Sequence, residues 1–283
     1  MAHSTNSGGR AADLALLIAP RFCGPPGSGN GGYVSGRVAA YVASACLNGP
    51  VTVTLRKPPP LDTPMAVERD GDGALRLTHD GTLIADAAPA EDGPALDVPE
   101  PVSAQQAHAA AGRAAYYADP VFPGCFVCGM DRGPGDGLRI FPGQVAGRPL
   151  WAAPWTPDKS VTDGSGTVRP EMVWAALDCP SGIAAAEAAG LSGDTAILLG
   201  RMTATLAAPV AAQSAALPAA GDECRVIAWP VARDGRKLTA GSALLAPDGT
   251  VLAAASTVWL TMPRRDPARP GEPVPASRAG GAS

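Results

Sequence analysis

The chain is short of charge. Of its 283 residues, 17% are Asp, Glu, Lys or Arg, and the formal net charge is −4. No Lys/Arg block is large enough to neutralise several phosphates, which argues against nucleic-acid binding. Histidine is scarcer still, with three in all at His3, His79 and His108. Long hydrophobic runs are also missing. No stretch approaches the roughly eighteen uninterrupted apolar residues that a membrane-spanning helix needs. The N-terminal MAHSTNSGGRAADLALLIAP holds only a short apolar run with Asp13 at its start. It lacks the basic opening and small-residue cleavage site of a signal peptide. The expectation is a soluble, cytoplasmic protein without a membrane partner.

Cysteine is sparse and scattered. The six (Cys23, Cys46, Cys125, Cys128, Cys179, Cys224) form no dense framework of the kind that staples small secreted domains. Cys125 and Cys128 make the one close pair, in PGCFVCGMDRGPGDGLRIF. One CxxC supplies half of a structural zinc site, and no second CxxC or HxxxH follows. The pair therefore reads as a turn with two small, semi-buried thiols, and any metal would need ligands from distant residues. No metal or other cofactor is expected.

Apolar residues make up 46% of the chain, enough for a real core, and the length suits one large domain or two ordinary ones. The second half echoes the first. Residues 27–41 read GSGNGGYVSGRVAAY and residues 164–178 read GSGTVRPEMVWAALD. Each copy runs from glycines into an apolar segment at helical spacing. A strand-like run broken by proline follows in each, VTVTLRKPPPLDTPM and LLGRMTATLAAPV. Each ends in a polar hairpin, RDGDGALRLTHDGTLIADA and RDGRKLTAGSALLAPDGTVLAAAS. The offset of 137 residues is too long for a solenoid. It suggests two copies of one small α+β unit packed as a pseudo-dimer.

The boundaries follow from composition. Residues 1–12 and 264–283 read as disordered tails rich in Pro, Gly and Ser. The first unit spans about 13–97 and the second about 151–263. The connector, 98–150, carries a short helical pattern capped by Ser103 with Gln106 three residues on, followed by the CxxC loop. Hairpin turns are expected at His79-Asp80-Gly81 and Pro247-Asp248-Gly249. Helices are expected over 33–46 and 171–189, with Pro180 breaking the second so that Asp178 or Ser181 caps a new piece.

Both helices are apolar on nearly every face, and such a helix is normally buried. In a small α+β unit, its own sheet must wrap it. The pattern resembles the hot-dog fold, and in particular the double hot-dog arrangement of the thioesterase superfamily. The local matches are Gly29-Asn30-Gly31-Gly32-Tyr33 at the first helix start and Leu177-Asp178 inside the second helix. The resemblance covers about residues 20–90 and 150–262.

It implies an acyl-CoA or acyl-carrier-protein thioester hydrolase. Family members carry His-Gly-Gly or Asn-Gly-Gly at the helix start, where unpaired backbone N–H groups can hold an oxyanion and glycine admits a thioester carbonyl. An Asp or Glu some eight residues on, usually supplied across the dimer interface, acts as general base or nucleophile. Here the pattern is divided. The first copy keeps Asn30-Gly31-Gly32, but eight residues past Gly31 stands Ala39. The second has Asp178, but eight residues earlier stands Pro170, which has no N–H to donate. The expected outcome is one composite site per chain, with Asn30, Gly31 and Gly32 from the first unit and Asp178 from the second. Tyr33 and Trp174 would line the substrate.

Other readings stand beside these. Asn30 reads equally as a residue that orients the helix entrance or bonds the substrate and as a turn residue before glycine, Glu171 as a first-turn acid, and Cys179 as a small core cysteine rather than a nucleophile. Arg56, Lys57 and Arg201 read as solvated surface. Hot-dog hydratases use an Asp–His pair, and none of the three histidines accompanies Asp178 in its helix. The rival reading is a non-catalytic acyl-thioester-binding or scaffold protein, since half the motif is missing from each copy. Units of this kind often pair further through their sheets into homo-oligomers.

Overall fold

A computed structural model describes residues 14–264 apart from 44–48, 71–72, 95, 192 and 207–216. Cys46, the whole N-terminal tail and all of the C-terminal tail after Arg264 lie outside the described residues. Arg264 belongs to the folded part: its guanidinium meets Asp119 at 2.7 Å, and its N–H donates to Asp194 O.

The strands of the described residues are β1 (Ala15–Leu16), β2 (Val51–Leu55), β3 (Met65–Arg69), β4 (Leu75–His79), β5 (Thr82–Pro89), β6 (Gly143–Gln144), β7 (Trp151–Trp155), β8 (Thr195–Leu206), β9 (Cys224–Asp234), β10 (Lys237–Leu245) and β11 (Val251–Pro263). All join in one antiparallel sheet, in the order β1-β3-β4-β5-β2-β8-β11-β10-β9-β7-β6. The helices are α1 (Gly31–Ala43), α2 (Ala104–Ala111) and α3 (Pro170–Ala188).

The strand that follows α1 pairs with the strand that follows α3. In this β2–β8 seam Val51 faces Ala204 and Thr54 faces Arg201, and the Thr52 and Thr203 hydroxyls lie 2.7 Å apart. The two expected turns form. Between β4 and β5, Asp80 and Gly81 both take positive φ (47° and 72°), the conformation a two-residue hairpin turn demands. Between β10 and β11, Gly249 does the same at 95°.

Burial explains the apolar helices. Fourteen of the nineteen residues of α3 are buried, so no polar stripe is needed. Strands β7 to β11 enclose it on one side and α1 lies on the other, while α1 rests on β2, β4, β5 and β8. The helices approach closely because α1 presents glycine. A Cβ on Gly36 would stand 2.6 Å from Glu171 Cα and 2.8 Å from Trp174 Cβ. α2 has the capping box read from the sequence: Gln106 N–H donates to Ser103 Oγ at 3.1 Å, and Ser103 N–H donates to Gln106 Oε1 at 2.8 Å. It covers the opposite face of the sheet, where Ile227, Trp229 and Ala243 pack with Ala107 and Ala110.

Pro180 does not break the second helix. α3 runs through it, because side chains serve the carbonyls around the proline. Ser181 Oγ donates to Asp178 O at 2.7 Å, and Ser242 Oγ of β10 donates to Leu177 O at 2.7 Å. Pro180 has no N–H for Ala176 O, and the two serines hold the next two carbonyls along the helix where the proline ring disturbs the ladder. Neither Asp178 nor Ser181 caps a new helix. The first helix begins at Gly31, two residues before its expected start, because Asn30 caps it.

Candidate active site

Asn30 organises the start of α1. Its Oδ1 accepts from Tyr33 N–H at 2.9 Å and its carbonyl accepts from Val34 N–H at 3.0 Å, the hydrogen bonds of an N-cap. Capping leaves the Nδ2 end of the same amide turned towards α3. There it donates to Asp178 Oδ2 at 3.1 Å. Gly32 N–H donates to the same oxygen at 2.8 Å. Three of the four residues singled out from opposite halves of the sequence, Asn30, Gly32 and Asp178, therefore meet directly.

Asp178 is 1% exposed, and its Oδ1 has no hydrogen-bond partner among the described residues. Burial pushes its carboxyl up to about 7, with the Gly32 N–H pulling the other way. A carboxyl in that range both takes and releases protons near neutrality.

Gly32 has a narrower task than the sequence pattern suggested. A Cβ there would stand 2.4 Å from Asp178 Cβ and 2.7 Å from Trp174 O. Glycine at this position lets the two helices close, and its N–H is already committed to the carboxylate. Gly31 is the first helical residue, a place whose N–H has no intrahelical acceptor. A Cβ at Gly31 would meet Leu199 at 2.9 Å.

The two aromatic candidates sit in the core. Tyr33 is 1% exposed, stacks on Phe22 at 3.9 Å and meets Phe126 edge-on, while its hydroxyl accepts from Arg37. Trp174 is 3% exposed and packs over Gly36. Tyr33 thereby anchors the CxxC loop, whose middle residue is Phe126. Arg56 meets Asp86 at the surface, and Glu171 stays in the first turn of α3 beside Arg169.

Sequence reasoning missed what that loop does. Phe126 N–H donates to Cys23 O at 2.8 Å, and Gly129 N–H closes the turn onto Cys125 O at 2.9 Å. The loop brings Cys125 Sγ to 3.6 Å from Cys179 Sγ, and the sulfurs of Cys125, Cys128 and Cys179 all lie within 4.8 Å of one another. Asn30 Nδ2 approaches two of them, Cys179 Sγ at 3.6 Å and Cys125 Sγ at 3.9 Å. Hydrogen bonds from the Cys128 and Cys179 thiols hold Cys125 well below the usual thiol range, and both donors are raised by that same contact. The only clue in the sequence was that Cys179 adjoins Asp178. A surface pocket of about 570 Å³ is lined by Gly135, Leu138, Arg139, Trp155 and Asp158 among others, and none of the site residues borders it.

Solved structures with a similar fold include proteins named as TesB and thioesterase II. A TesB protein of Mycobacterium avium subsp. paratuberculosis matches with a TM-score of 0.57 at 13% identity, over 88% of this chain and 92% of that one. A protein from Thermobifida fusca described as a thioesterase II matches at 0.55 and 14% identity, over 87% and 92%. An acyl-CoA thioesterase II of Mycobacterium marinum matches at 0.50 and 11%, over 82% and 90%. The chain has the fold of the thioesterase II proteins. No family model matches it, and none of the curated proteins compared with it resembles it in sequence.

Proposed function

We propose that the chain hydrolyses acyl thioesters of coenzyme A or an acyl carrier protein, at one composite site in a double hot-dog arrangement. The two hot-dog units, about 13–97 and 151–263, each contribute half, and the connector 98–150 delivers the cysteine loop. The observation that carries this reading is the meeting of Asp178 Oδ2 with the Gly32 N–H and the Asn30 amide. The thioesterase names of the structural neighbours support it at the level of fold.

In this mechanism the unpartnered Asp178 Oδ1 takes a proton from water as its oxygen attacks the thioester carbonyl. The oxyanion is held at the positive end of α1, where Gly31 N–H is the available donor. Collapse breaks the C–S bond, and the proton passes from Asp178 to the departing sulfur. Asn30 and Gly32 fix the other carboxylate oxygen, so the base keeps its orientation through the reaction.

A second reading is favoured by one feature. The Gly32 N–H is already donated and the carboxylate is 1% exposed, as suits a closed, non-catalytic acyl-thioester-binding module. Hydrolysis of short, long and aromatic acyl-CoA thioesters by wild type and Asp178→Asn separates the two. Loss of about 100-fold or more in kcat/KM, the range for a general base, supports the hydrolase. Turnover indifferent to the substitution removes Asp178 from the mechanism. Binding without turnover on any substrate favours the module.

A further inference from the structure

We propose that Cys125, Cys128 and Cys179 form a binding site for a thiophilic d¹⁰ cation, zinc(II) or copper(I). The inference is independent of the thioester reading and stands or falls on different measurements. Three cysteines from two separate parts of the fold, the 125–128 loop and α3, bring their sulfurs within 4.8 Å of one another. A tetrahedral zinc ion with Zn–S bonds of about 2.3 Å places its sulfurs about 3.8 Å apart. The Cys125–Cys179 separation of 3.6 Å already fits that edge.

The surroundings direct a polar group at the sulfurs. The Asn30 amide directs N–H towards two of the sulfurs, where it can offset negative charge on a ligand. Its anchorage as an N-cap and on Asp178 fixes that direction. The loop is equally fixed. A Cβ at Gly129, directly after Cys128, would stand 2.4 Å from Cys125 O, so glycine is what allows the turn to fold both cysteines inward. Asp178, next to Cys179 in the chain, has a buried carboxylate oxygen, Oδ1, without a hydrogen-bond partner among the described residues.

Soft sulfur ligands select zinc and copper(I) over hard cations such as magnesium or calcium. Binding replaces each thiol proton with a metal–sulfur bond and releases the proton to solvent, with no change in oxidation state. Copper(I) is satisfied by three sulfurs, whereas zinc takes a fourth ligand.

The test uses the full chain, stripped of metal under reducing conditions and titrated separately with zinc(II) and with copper(I) against a chromophoric chelator. Elemental analysis of the recovered protein gives the stoichiometry. The expected result is about one ion per chain for one of the two metals. Retention should fall at least tenfold in Cys128→Ser and Cys179→Ser, and be unchanged in Cys23→Ser, whose sulfur lies outside the cluster. Wild-type protein that retains neither metal above the Cys179→Ser level overturns the proposal, and this comparison needs only one folded variant. A Cys125–Cys179 disulfide recovered from unreduced, metal-exposed protein overturns it as well, because the pair would then be a redox couple.

Discussion

Gly32 lies directly against Asp178: its N–H donates to Oδ2 at 2.8 Å, and the space for its missing side chain is filled by the Asp178 Cβ. One glycine thus sets both the distance between the two helices and the orientation of the buried carboxylate. Replacing it with alanine forces α1 and α3 apart. Gly32→Ala should destabilise the protein by about 1–3 kcal/mol in urea unfolding, the cost of overpacking. Gly164→Ala, at an exposed position with nothing within 4 Å of the new Cβ, should stay within about 0.5 kcal/mol. Equal effects would mean that the close approach does not govern stability.

Asn30 both caps α1 and donates to Asp178, and two substitutions separate the tasks. Serine keeps a capping oxygen but loses the donor, so its effect should fall on activity with little loss of stability. Aspartate caps as well as asparagine but sets a second carboxylate against Asp178, where the amide now sits 3.1 Å away. Asn30→Asp should therefore unfold at a distinctly lower urea concentration than Asn30→Ser. The reverse order would show that capping outweighs the contact with Asp178.

Ser181 joins α3 to the sheet. Its hydroxyl donates to Asp178 O and accepts from Thr257 Oγ1 at 2.9 Å and from Trp259 Nε1 at 3.0 Å, all in the buried interior. Ser181→Ala leaves Trp259 with Thr257 as its acceptor at 3.1 Å and strips a donor from the Asp178 carbonyl. The expected loss is about 1–3 kcal/mol, read from thermal or denaturant unfolding. A change below about 0.5 kcal/mol would place the network outside the stability of the helix.

Glu187, near the end of α3, accepts from Trp151 Nε1 at 2.5 Å with one oxygen and from Tyr116 N–H at 3.0 Å with the other. A carboxylate is acceptor-only and serves both, whereas glutamine must turn its NH₂ against one of them. Glu187→Gln should cost about 1.5–3 kcal/mol, the range for hydrogen bonds to a charged group. Loosening of the connector should appear as faster amide exchange around Tyr116. An unchanged exchange pattern would show that the connector is held by other contacts.

Local rules carried part of the fold into view. The Ser103–Gln106 capping box and the Asp80-Gly81 turn are each decided by a few neighbouring residues and form as read, while the two apolar helices form with a shifted start in the first and no break in the second. The meeting of Asn30, Gly32 and Asp178 was expected from the resemblance, which placed part of the motif in each of two similar segments. What stayed hidden depends on distant contacts. Pro180 is accommodated by Ser242, which lies 62 positions away on another strand. Cys179 reaches Cys125 only because Phe126 is held by the Phe22–Tyr33 stack. No spacing rule contains that information. The commitment of the Gly32 N–H to Asp178 depends likewise on the angle at which two helices cross.

The β2–β8 seam makes the two halves mutually dependent. Cutting the chain within the connector would leave each fragment with an unpaired strand at its broad edge and one half of the Asn30–Asp178 pair. Strands in that state seek each other or aggregate. Each fragment is therefore a natural bait for the other, and recovery of the buried carboxylate's environment would report their reunion. The sequence of either half is free to drift only as far as its counterpart can still recognise it.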